Sequence, residues 1–279
     1  MRQVESPKTI KEKAKAASAK PASLGEDVDL NKYSFSAEEL PYQADPSQLL
    51  EEQQKQMTQA GITLDKDSQR SGTIIQMDNS VIHSLARQEG LELMATSQAL
   101  RKYDWILDYW WRAVAVDSDK YTAHVELHQN DGYFIRALPH TKTIYPVQAC
   151  LYLAKNDLAQ HAHNIIIAEE GSELHIITGC TTAPRQESGL HLGISEFYIK
   201  PGAKLTFTMI HNWTPGIVVR PRTGVVVEEN GVFISNYVIM KPVHSLQTNP
   251  VTKCIGDNAI VRFNSILVAT PGSMMDVGS

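Results

Sequence analysis

The sequence predicts a mainly β protein, with strands from about residue 130 onwards and a helical or mixed region before them. Short runs of β-branched and aromatic residues recur there, and several follow a turn that contains glycine. These turn glycines are separated by 31, 29 and 25 residues: Gly171, Gly202, Gly231 and Gly256. A loose repeat of this size is typical of solenoids. Because no helical pattern lies between the strands, a parallel β-helix is predicted, and a β-sandwich is the alternative.

The first 60 residues are polar and predict a helical, partly flexible region. The segment Ser36 to Leu40 looks like a helix start, because a serine cap is followed three residues later by Glu39. A second helix is predicted from Pro46 to about Ala60, since leucines and a methionine lie among Glu and Gln and Gly61 follows.

Residues 61–129 predict a mixed α/β segment. Within it, Ser97 to Trp111 holds eight large apolar or aromatic residues and predicts an aromatic-rich helix. Aromatic side chains bury large areas, so this helix is interpreted as a packing element rather than a ligand site.

Residues 130–279 predict the β-helix core. The strand-like runs are Tyr133–Ile135, Asn164–Ile167, Leu174–Ile177, Leu205–Met209, Val232–Ile234, Ile260–Phe263 and Ile266–Val268.

Composition excludes several classes of protein. The net charge of −5 argues against a dedicated nucleic-acid binder, which would normally be basic. No apolar run reaches the ~18 residues of a membrane span, and the first 21 residues lack the apolar core of a secretory signal. Three cysteines without a CxxC pair do not suggest a disulfide framework, so a reducing, cytoplasmic location is expected.

Cys180 is the candidate reactive residue. It stands in Gly179-Cys180-Thr181-Thr182-Ala183-Pro184, which reads as a turn between two strands and predicts an accessible thiol. Such a thiol could carry sulfur or bind metal. The alternative is a small buried apolar residue, as free cysteine often is. Cys150 and Cys254 look more structural than reactive.

Four histidines are candidate metal ligands. His161 and His163 are spaced i and i+2, so a strand would point both to one face. His175 and His191 lie in strand-like runs on either side of Cys180. In a β-helix, neighbouring coils stack about 4.8 Å apart, so distant residues can meet. Surface or core histidines are the alternative for each of them.

The common catalytic motifs are absent from the sequence. It has no GxxxxGK[ST] phosphate loop, no GxGxxG, no HExxH and no GxSxG. The acid pairs Glu169-Glu170 and Glu228-Glu229 precede glycine turns and are interpreted as solvated turn charges. No enzymatic activity of its own is therefore expected, and ATP hydrolysis least of all.

Several separate segments, in the same order along the chain, resemble the SufB/SufD family of iron–sulfur cluster assembly proteins, most of all SufB-like proteins of archaea and anaerobic bacteria. These segments are His163–Gly171, Leu174–Cys180, Gly202–Phe207, His211–Trp213 and Asn258–Ser265. The resemblance covers about residue 70 to the C-terminus.

The resemblance implies a right-handed parallel β-helix and a scaffold role. It implies partnership with the ABC-type ATPase SufC and with a second SufB- or SufD-type subunit, as a homodimer or heterodimer, and delivery of a transiently assembled cluster to apoproteins. No permanently bound cofactor is expected. SufB proteins have a sulfur-accepting cysteine in the segment matched by Gly179-Cys180-Thr181, and SufD proteins generally lack it, so Cys180 favours the SufB side.

This sequence departs from the family pattern after Ser279. The family normally continues with further coils and a helical segment that docks SufC, so binding of SufC by this chain alone is put in doubt. Two other functions stay open on the residues alone. One is a β-helix carbohydrate enzyme such as a polysaccharide lyase, and the other is a non-catalytic interaction module.

Overall fold

In a computed structural model, which describes residues 5–65, 69–128 and 131–279, the chain forms a two-sheet β-solenoid of about five turns with helices in its N-terminal part. The predicted parallel β-helix is therefore confirmed, and the sandwich alternative is wrong. In a sandwich the strands within each sheet would pair antiparallel. Here successive coils pair in parallel.

The helices and strands follow the order of the chain. The α-helices are α1 (Pro7–Ala17), α2 (Glu51–Gln59), α3 (Thr96–Lys102) and α4 (Lys120–Leu127), with 3-10 turns at Leu30–Lys32, Pro46–Gln48 and Asp104–Asp108. The strands are β1 (Gly72–Met77), β2 (Ser80–Ala86), β3 (Leu91–Ala95), β4 (Tyr133–Ala137), β5 (Val147–Leu153), β6 (Ala159–Ala168), β7 (Glu173–Thr182), β8 (Gly189–Ile199), β9 (Lys204–Asn212), β10 (Ile217–Val219), β11 (Arg222–Val227), β12 (Val232–Ile239), β13 (Ser245–Thr248), β14 (Val251–Cys254), β15 (Ile260–Leu267) and β16 (Met274–Val277).

From β5 onwards the chain alternates between two facing sheets. One sheet has the order β15-β12-β9-β7-β5-β1-β2, and the other has the order β16-β13-β10-β8-β6-β4-β3, with β11 and β14 alongside. Pairing between coils is parallel, whereas the β1–β2 and β3–β4 pairs at one end are antiparallel. Each residue therefore has a register partner on the next coil, which places like positions of successive repeats side by side.

The predicted repeat turns stack on one another. Gly171 and Gly202 have φ of 63° and 67°, a conformation that glycine adopts without steric cost. In the next two turns the residues with positive φ are Asn230 and Asn258, which lie beside Gly231 and Gly256 of the predicted repeat. Asparagine tolerates the left-handed region better than most side chains, and the Asn258 side-chain amide donates to Asn230 across the coils at 3.1 Å.

The main core fills the space between the two sheets. Alternate residues of β6 divide between two environments, with Ala162 and Ile166 in this interior core and Ile165 and Ile167 in an outer one. The outer core lies beneath the N-terminal helices, where α1 packs on α4. Both faces of this sheet are thus covered, which explains why β6 and β8 are buried along their whole length.

Three helix predictions need correction. Ser36 to Leu40 is not helical, because the backbone there finds partners on strands instead. The backbone N–H of Leu40 donates to Ser80 Oγ at 3.0 Å. Three residues later, the backbone N–H of Gln43 donates to the Ile82 carbonyl oxygen at 2.6 Å.

The helix predicted from 46 to 60 is a 3-10 turn followed by α2. The aromatic helix predicted from 97 to 111 is α3 and a 3-10 turn, separated at Tyr103, whose backbone is extended.

The packing role assigned to the aromatic segment is confirmed, since Trp110 and Trp111 are buried in the outer core. Among the helices of the described residues, none is long and apolar enough to cross a membrane.

Candidate functional site

Cys180 lies inside the solenoid and not on an exposed turn, so the prediction of an accessible thiol is wrong. Strand β7 continues through to Thr182 because its pairing with β5 and β9 is unbroken around Cys180. Cys180 is paired with Leu151 on β5 and with His211 on β9. Its exposed fraction is 0%. Burial, with Cys150 nearby, raises the pKa of the Cys180 thiol well above its usual range, so the resting group is a protonated thiol.

Gly179, which precedes the cysteine, serves close packing rather than a turn. A Cβ at this position would lie 2.6 Å from the Ala60 carbonyl oxygen and 2.6 Å from the Ile62 side chain. The segment after α2 therefore lies directly against β7. This contact covers the outer face of the strand that carries Cys180.

The neighbour of Cys180 on the next coil is His211. Trp213 donates its indole N–H to His211 Nδ1, so the neutral imidazole carries its proton on Nε2. That Nε2 is buried and has no hydrogen-bond partner. Burial lowers the pKa of His211 to about 3, with His191 contributing to the same direction. His211 therefore offers an unused N–H donor in the interior, on the side of the sheet that carries Cys180.

Two tyrosines complete the surroundings of the thiol. Tyr237 packs its ring 4.7 Å from that of His211, and its hydroxyl is buried without a partner. The Tyr133 hydroxyl lies 3.4 Å from Oγ1 of Thr178. Thr178 stands on β7 two positions before Cys180 and points inward as Cys180 does. Burial, followed by the nearby Cys180, raises the pKa of Tyr237, so its O–H also stays protonated and available as a donor.

A cavity of about 320 Å³ runs through the interior next to these residues. Its wall includes Leu151, the register partner of Cys180, and also Tyr237, His191 and Asn164. Asp, Glu, Lys and Arg side chains are absent from the lining residues. The cavity is thus weakly polar, and it reaches Leu151 and Tyr237 without having Cys180 itself among its lining residues.

His191 is the one sequence-predicted histidine that lines this cavity. Its Nδ1 lies 2.9 Å from Gln160 Oε1, an oxygen that can only accept, so Nδ1 carries the proton and Nε2 keeps its lone pair. Burial lowers the pKa of His191 to about 4, which keeps the ring neutral. A neutral imidazole with a free lone pair is the form that binds metals.

The other three candidates lie elsewhere. His161 and His163 share the outer face of β6, as predicted, but have different neighbours: His161 contacts Phe35, and His163 pairs with Glu196 at 2.8 Å. His175 is partly exposed beside Glu173. Across residues 5–65, 69–128 and 131–279, no three His, Cys, Asp or Glu side chains are arranged to hold a metal ion.

Comparison with known proteins gives these residues a family context. Residues 151–279, which include Cys180, His191 and His211, match the family described as "SUF system FeS cluster assembly, SufBD core domain". An iron–sulfur cluster assembly SufBD family protein of Methanothermobacter thermautotrophicus is 45% identical over 275 residues, covering 96% of this chain and 66% of the relative. The chain belongs to the SufBD family.

Two further relatives of this SufBD chain differ widely in their identity to it. A SufBD family protein of Archaeoglobus fulgidus is 49% identical over 225 residues, which cover 81% of this chain and 60% of that protein. The iron–sulfur cluster assembly protein SufB of Bacillus subtilis is 25% identical over 268 residues, covering 90% and 56%. The chain thus spans 56% to 66% of the length of these relatives.

Sequence reasoning about this SufBD chain noted His211 in a segment after Cys180 but did not pair the two residues, and it did not name Tyr237. A signal for His211 was present, because it follows Cys180 by 31 residues, the interval that separates Gly171 from Gly202. Tyr237 carried no such signal, since its ring reaches His211 from a different register position. Cys254, interpreted as structural, is the exposed free thiol, whereas Cys150 is buried.

Proposed function

We propose that this chain acts as a scaffold of the SUF-type machinery that accepts sulfur and iron for cluster assembly, with Cys180 as the sulfur acceptor. The observation that carries the proposal is the pairing of Cys180 with His211, whose Nε2–H has no partner. A buried hydrogen-bond donor without a partner raises the free energy of the folded protein. An anion that forms on Cys180 would accept a hydrogen bond from the His211 Nε2–H and so remove that cost.

The transfer step needs no oxidant or reductant. The Cys180 sulfur attacks the terminal sulfur of an anionic donor persulfide (R–S–S⁻), a new S–S bond forms, and the S–S bond of the donor breaks. The proton of the Cys180 thiol leaves with the donor sulfur as a thiol, and Cys180 retains an anionic persulfide. Atoms, charge and electrons balance between the two sides.

The interior must stabilise that anion, because burial disfavours charge. The His211 Nε2–H and the Tyr237 O–H are two donors without partners in its neighbourhood. A hydrogen bond to the charged form lowers its free energy and opposes the desolvation that keeps the resting thiol protonated. Both groups therefore serve as positioning residues for the sulfur that Cys180 carries.

Iron would enter as substrate rather than as a resident cofactor. Among the four histidines predicted as candidate ligands, His191 is favoured, since it faces the cavity with a free Nε2 lone pair. His161, His163 and His175 have no cavity contact in this arrangement. The assembled cluster would then pass to recipient apoproteins.

The proposed partners follow from the family and from what the chain lacks. The sequence has no phosphate-binding loop, so any ATP-driven step requires a partner such as SufC. A second SufB- or SufD-type subunit is the other proposed partner. Three free thiols fit a reducing compartment such as the cytoplasm. Family membership favours this scaffold role over the carbohydrate enzyme, which no described residue supports.

The test uses the full chain under anaerobic conditions, with inorganic polysulfide as a small sulfur donor and peptide mass spectrometry as the readout. We expect the peptide that contains Cys180 to gain one sulfur atom and to lose it on reduction. Cys180→Ala should abolish this gain, whereas Cys150→Ala, which removes the other buried thiol, should leave it unchanged.

Iron binding is measured separately, by titrating ferrous iron into the sulfur-loaded protein and recording absorption spectra. Equal sulfur gain on Cys180 and Cys150 would contradict the assignment of Cys180 as acceptor. No sulfur on any buried cysteine would contradict the scaffold role proposed for this chain.

A further inference from the structure

Gly193 stands two residues after His191 on the same face of β8, and both residues line the interior cavity. A Cβ at Gly193 would lie 2.7 Å from Nε2 of His191, and its three nearest atoms would all belong to that imidazole. It would lie farther from the two ring carbons beside Nε2, at 3.4 Å and 3.5 Å, and would therefore stand in front of the nitrogen. The missing side chain leaves open space at the Nε2 lone pair.

Neither backbone conformation nor a close backbone neighbour explains a glycine at position 193. The residue lies within a strand, and its φ is outside the left-handed region. Gly179 and Gly224 differ, because a Cβ there would lie 2.6 Å and 2.4 Å from a backbone oxygen. Glycine inside a strand weakens it, since there is no side chain to pack. What Gly193 provides in return is access to Nε2 of His191.

Gln160 determines which nitrogen of His191 is free. It is the register partner of His191 on β6. Its side-chain N–H₂ group donates to the Asp78 carbonyl at 3.0 Å and to the Tyr152 carbonyl at 3.0 Å. Carbonyl oxygens only accept, so the amide has one orientation, with Oε1 toward His191 Nδ1 at 2.9 Å. The proton is thereby held on Nδ1, and the lone pair is on Nε2.

The amide of Gln160 is in turn anchored by the turn between β1 and β2. Asp78 lies in that turn, and its carboxylate accepts from the backbone N–H groups of Ala154 at 2.7 Å and Lys155 at 3.3 Å. Its carbonyl also accepts from Gln76 Nε2 at 3.0 Å. Contacts on the far side of the sheet from the cavity thus set the orientation of the imidazole inside it.

We propose that Gln160 and Gly193 are positioning residues that make His191 Nε2 an attachment point for a divalent metal ion. Gln160 keeps the proton on Nδ1, and Gly193 keeps the metal position unfilled. A metal such as zinc lies about 2.1 Å from a ligating imidazole nitrogen, so a methyl group 2.7 Å from Nε2 would compete with it for the same space.

The inference rests on the proposed function in one respect, namely that the metal is the iron supplied for cluster assembly. The position of the proton and the access to Nε2 do not depend on sulfur acceptance by Cys180. Among residues of the described ranges, no three potential ligands stand together. A single attachment point suits a metal ion that is passed on rather than retained.

The first measurement is nuclear magnetic resonance of the full chain with nitrogen-15-labelled histidine and no metal. The signals of His191 are identified by their loss in His191→Gln. In the wild type we expect a protonated Nδ1 and an unprotonated Nε2. Gln160→Met removes the acceptor of the Nδ1 proton and should move the proton toward Nε2.

Zinc is then titrated into the reduced protein as a diamagnetic probe, because nitrogen ligands bind zinc more tightly than ferrous iron. We expect the Nε2 signal of wild-type His191 to shift. Gly193→Ala and Gln160→Met should each weaken this binding by about 10- to 100-fold. Ser195→Ala is the matched control, since it removes a side chain two positions further along the same face of β8, and it should bind as the wild type does.

Gly193→Ala also guards against misfolding of Gln160→Met, because the added methyl group is nearest to the imidazole and not to the backbone. Three results would overturn the inference: a proton on Nε2 in the wild type, no zinc shift at wild-type Nε2, or equal zinc binding in Gly193→Ala and the wild type. The polysulfide assay on Cys180 is read separately. Loss of sulfur gain there with an intact zinc shift would contradict the scaffold role and leave this metal site standing.

Discussion

Cys180 and His211 are register partners on neighbouring coils, and the imidazole is fixed by Trp213 so that its proton lies on Nε2. A buried thiol thereby has a hydrogen-bond donor beside it that nothing else uses. This pair links the repeat of the solenoid to the proposed chemistry, because parallel register alone brings the two residues together.

Thiol reactivity should separate the three cysteines. Cys254 is exposed, whereas Cys150 and Cys180 are buried with pKa values raised by burial. We expect one thiol to react rapidly with iodoacetamide in the native protein and all three to react in denaturant. Peptide mapping should assign the fast site to Cys254, and Cys254→Ser should remove the fast phase. A fast reaction at Cys180 would contradict the buried placement.

Replacing Trp213 by phenylalanine should weaken sulfur retention on Cys180. The variant keeps an aromatic ring but loses the indole N–H, so His211 Nδ1 loses its partner and the proton no longer favours Nε2. We expect a lower yield of persulfide at Cys180 in the polysulfide assay and a stability loss of about 1–3 kcal/mol. Trp105→Phe, on the outer layer, is the matched control and should retain the yield.

Glu196→Gln should destabilise the fold strongly. The fully buried carboxylate accepts hydrogen bonds from the backbone N–H groups of Trp111, Ala113 and Val114 and pairs with His163. A glutamine must turn its NH₂ group toward some of these donors, so a cost of about 3–5 kcal/mol is expected. Urea denaturation measures the loss. The exposed Glu187→Gln should change the unfolding free energy by less than about 0.5 kcal/mol.

Gly179→Ala should loosen the segment after α2. The added methyl group would meet the backbone oxygen of Ala60 at 2.6 Å, which cannot move without shifting the chain. We expect a loss of about 1–3 kcal/mol and faster hydrogen exchange at residues 57–64. The control is Gly278→Ala, whose nearest neighbour is a side-chain oxygen of Asn249 at 3.2 Å. Equal effects of the two variants would argue against tight packing at Gly179.

Acid should lower the stability of the whole domain through the interior histidines. The pKa of His191 is about 4 and that of His211 about 3 in the folded state, against about 6.5 when exposed. The unfolded chain therefore binds more protons below about pH 6.5, and the unfolding free energy falls as the pH drops. Each group contributes about 1.4 kcal/mol for each pH unit. Urea midpoints between about pH 7 and pH 5 should shift less in His211→Gln.

The sequence alone determined that the C-terminal half consists of repeated strands and turns, although its pattern left both a β-helix and a β-sandwich open. Strand periodicity and turn glycines at intervals of 25 to 31 residues predicted coils, and the structure has turns at or beside those glycines. Local turn chemistry and alternation carry this information, because each coil repeats the same short-range pattern. The ordered segments that resemble the family likewise led to the SufBD family.

Only the tertiary structure decided where Cys180 lies and what surrounds it. Gly179 and Pro184 read as turn residues, yet parallel pairing with β5 and β9 keeps Cys180 in a strand and points it inward. The same is true of Ser36 to Leu40, where hydrogen bonds to strand residues replace a helix that the local sequence favours. Non-local backbone pairing can override local preference because it satisfies the same donors and acceptors while burying more apolar surface.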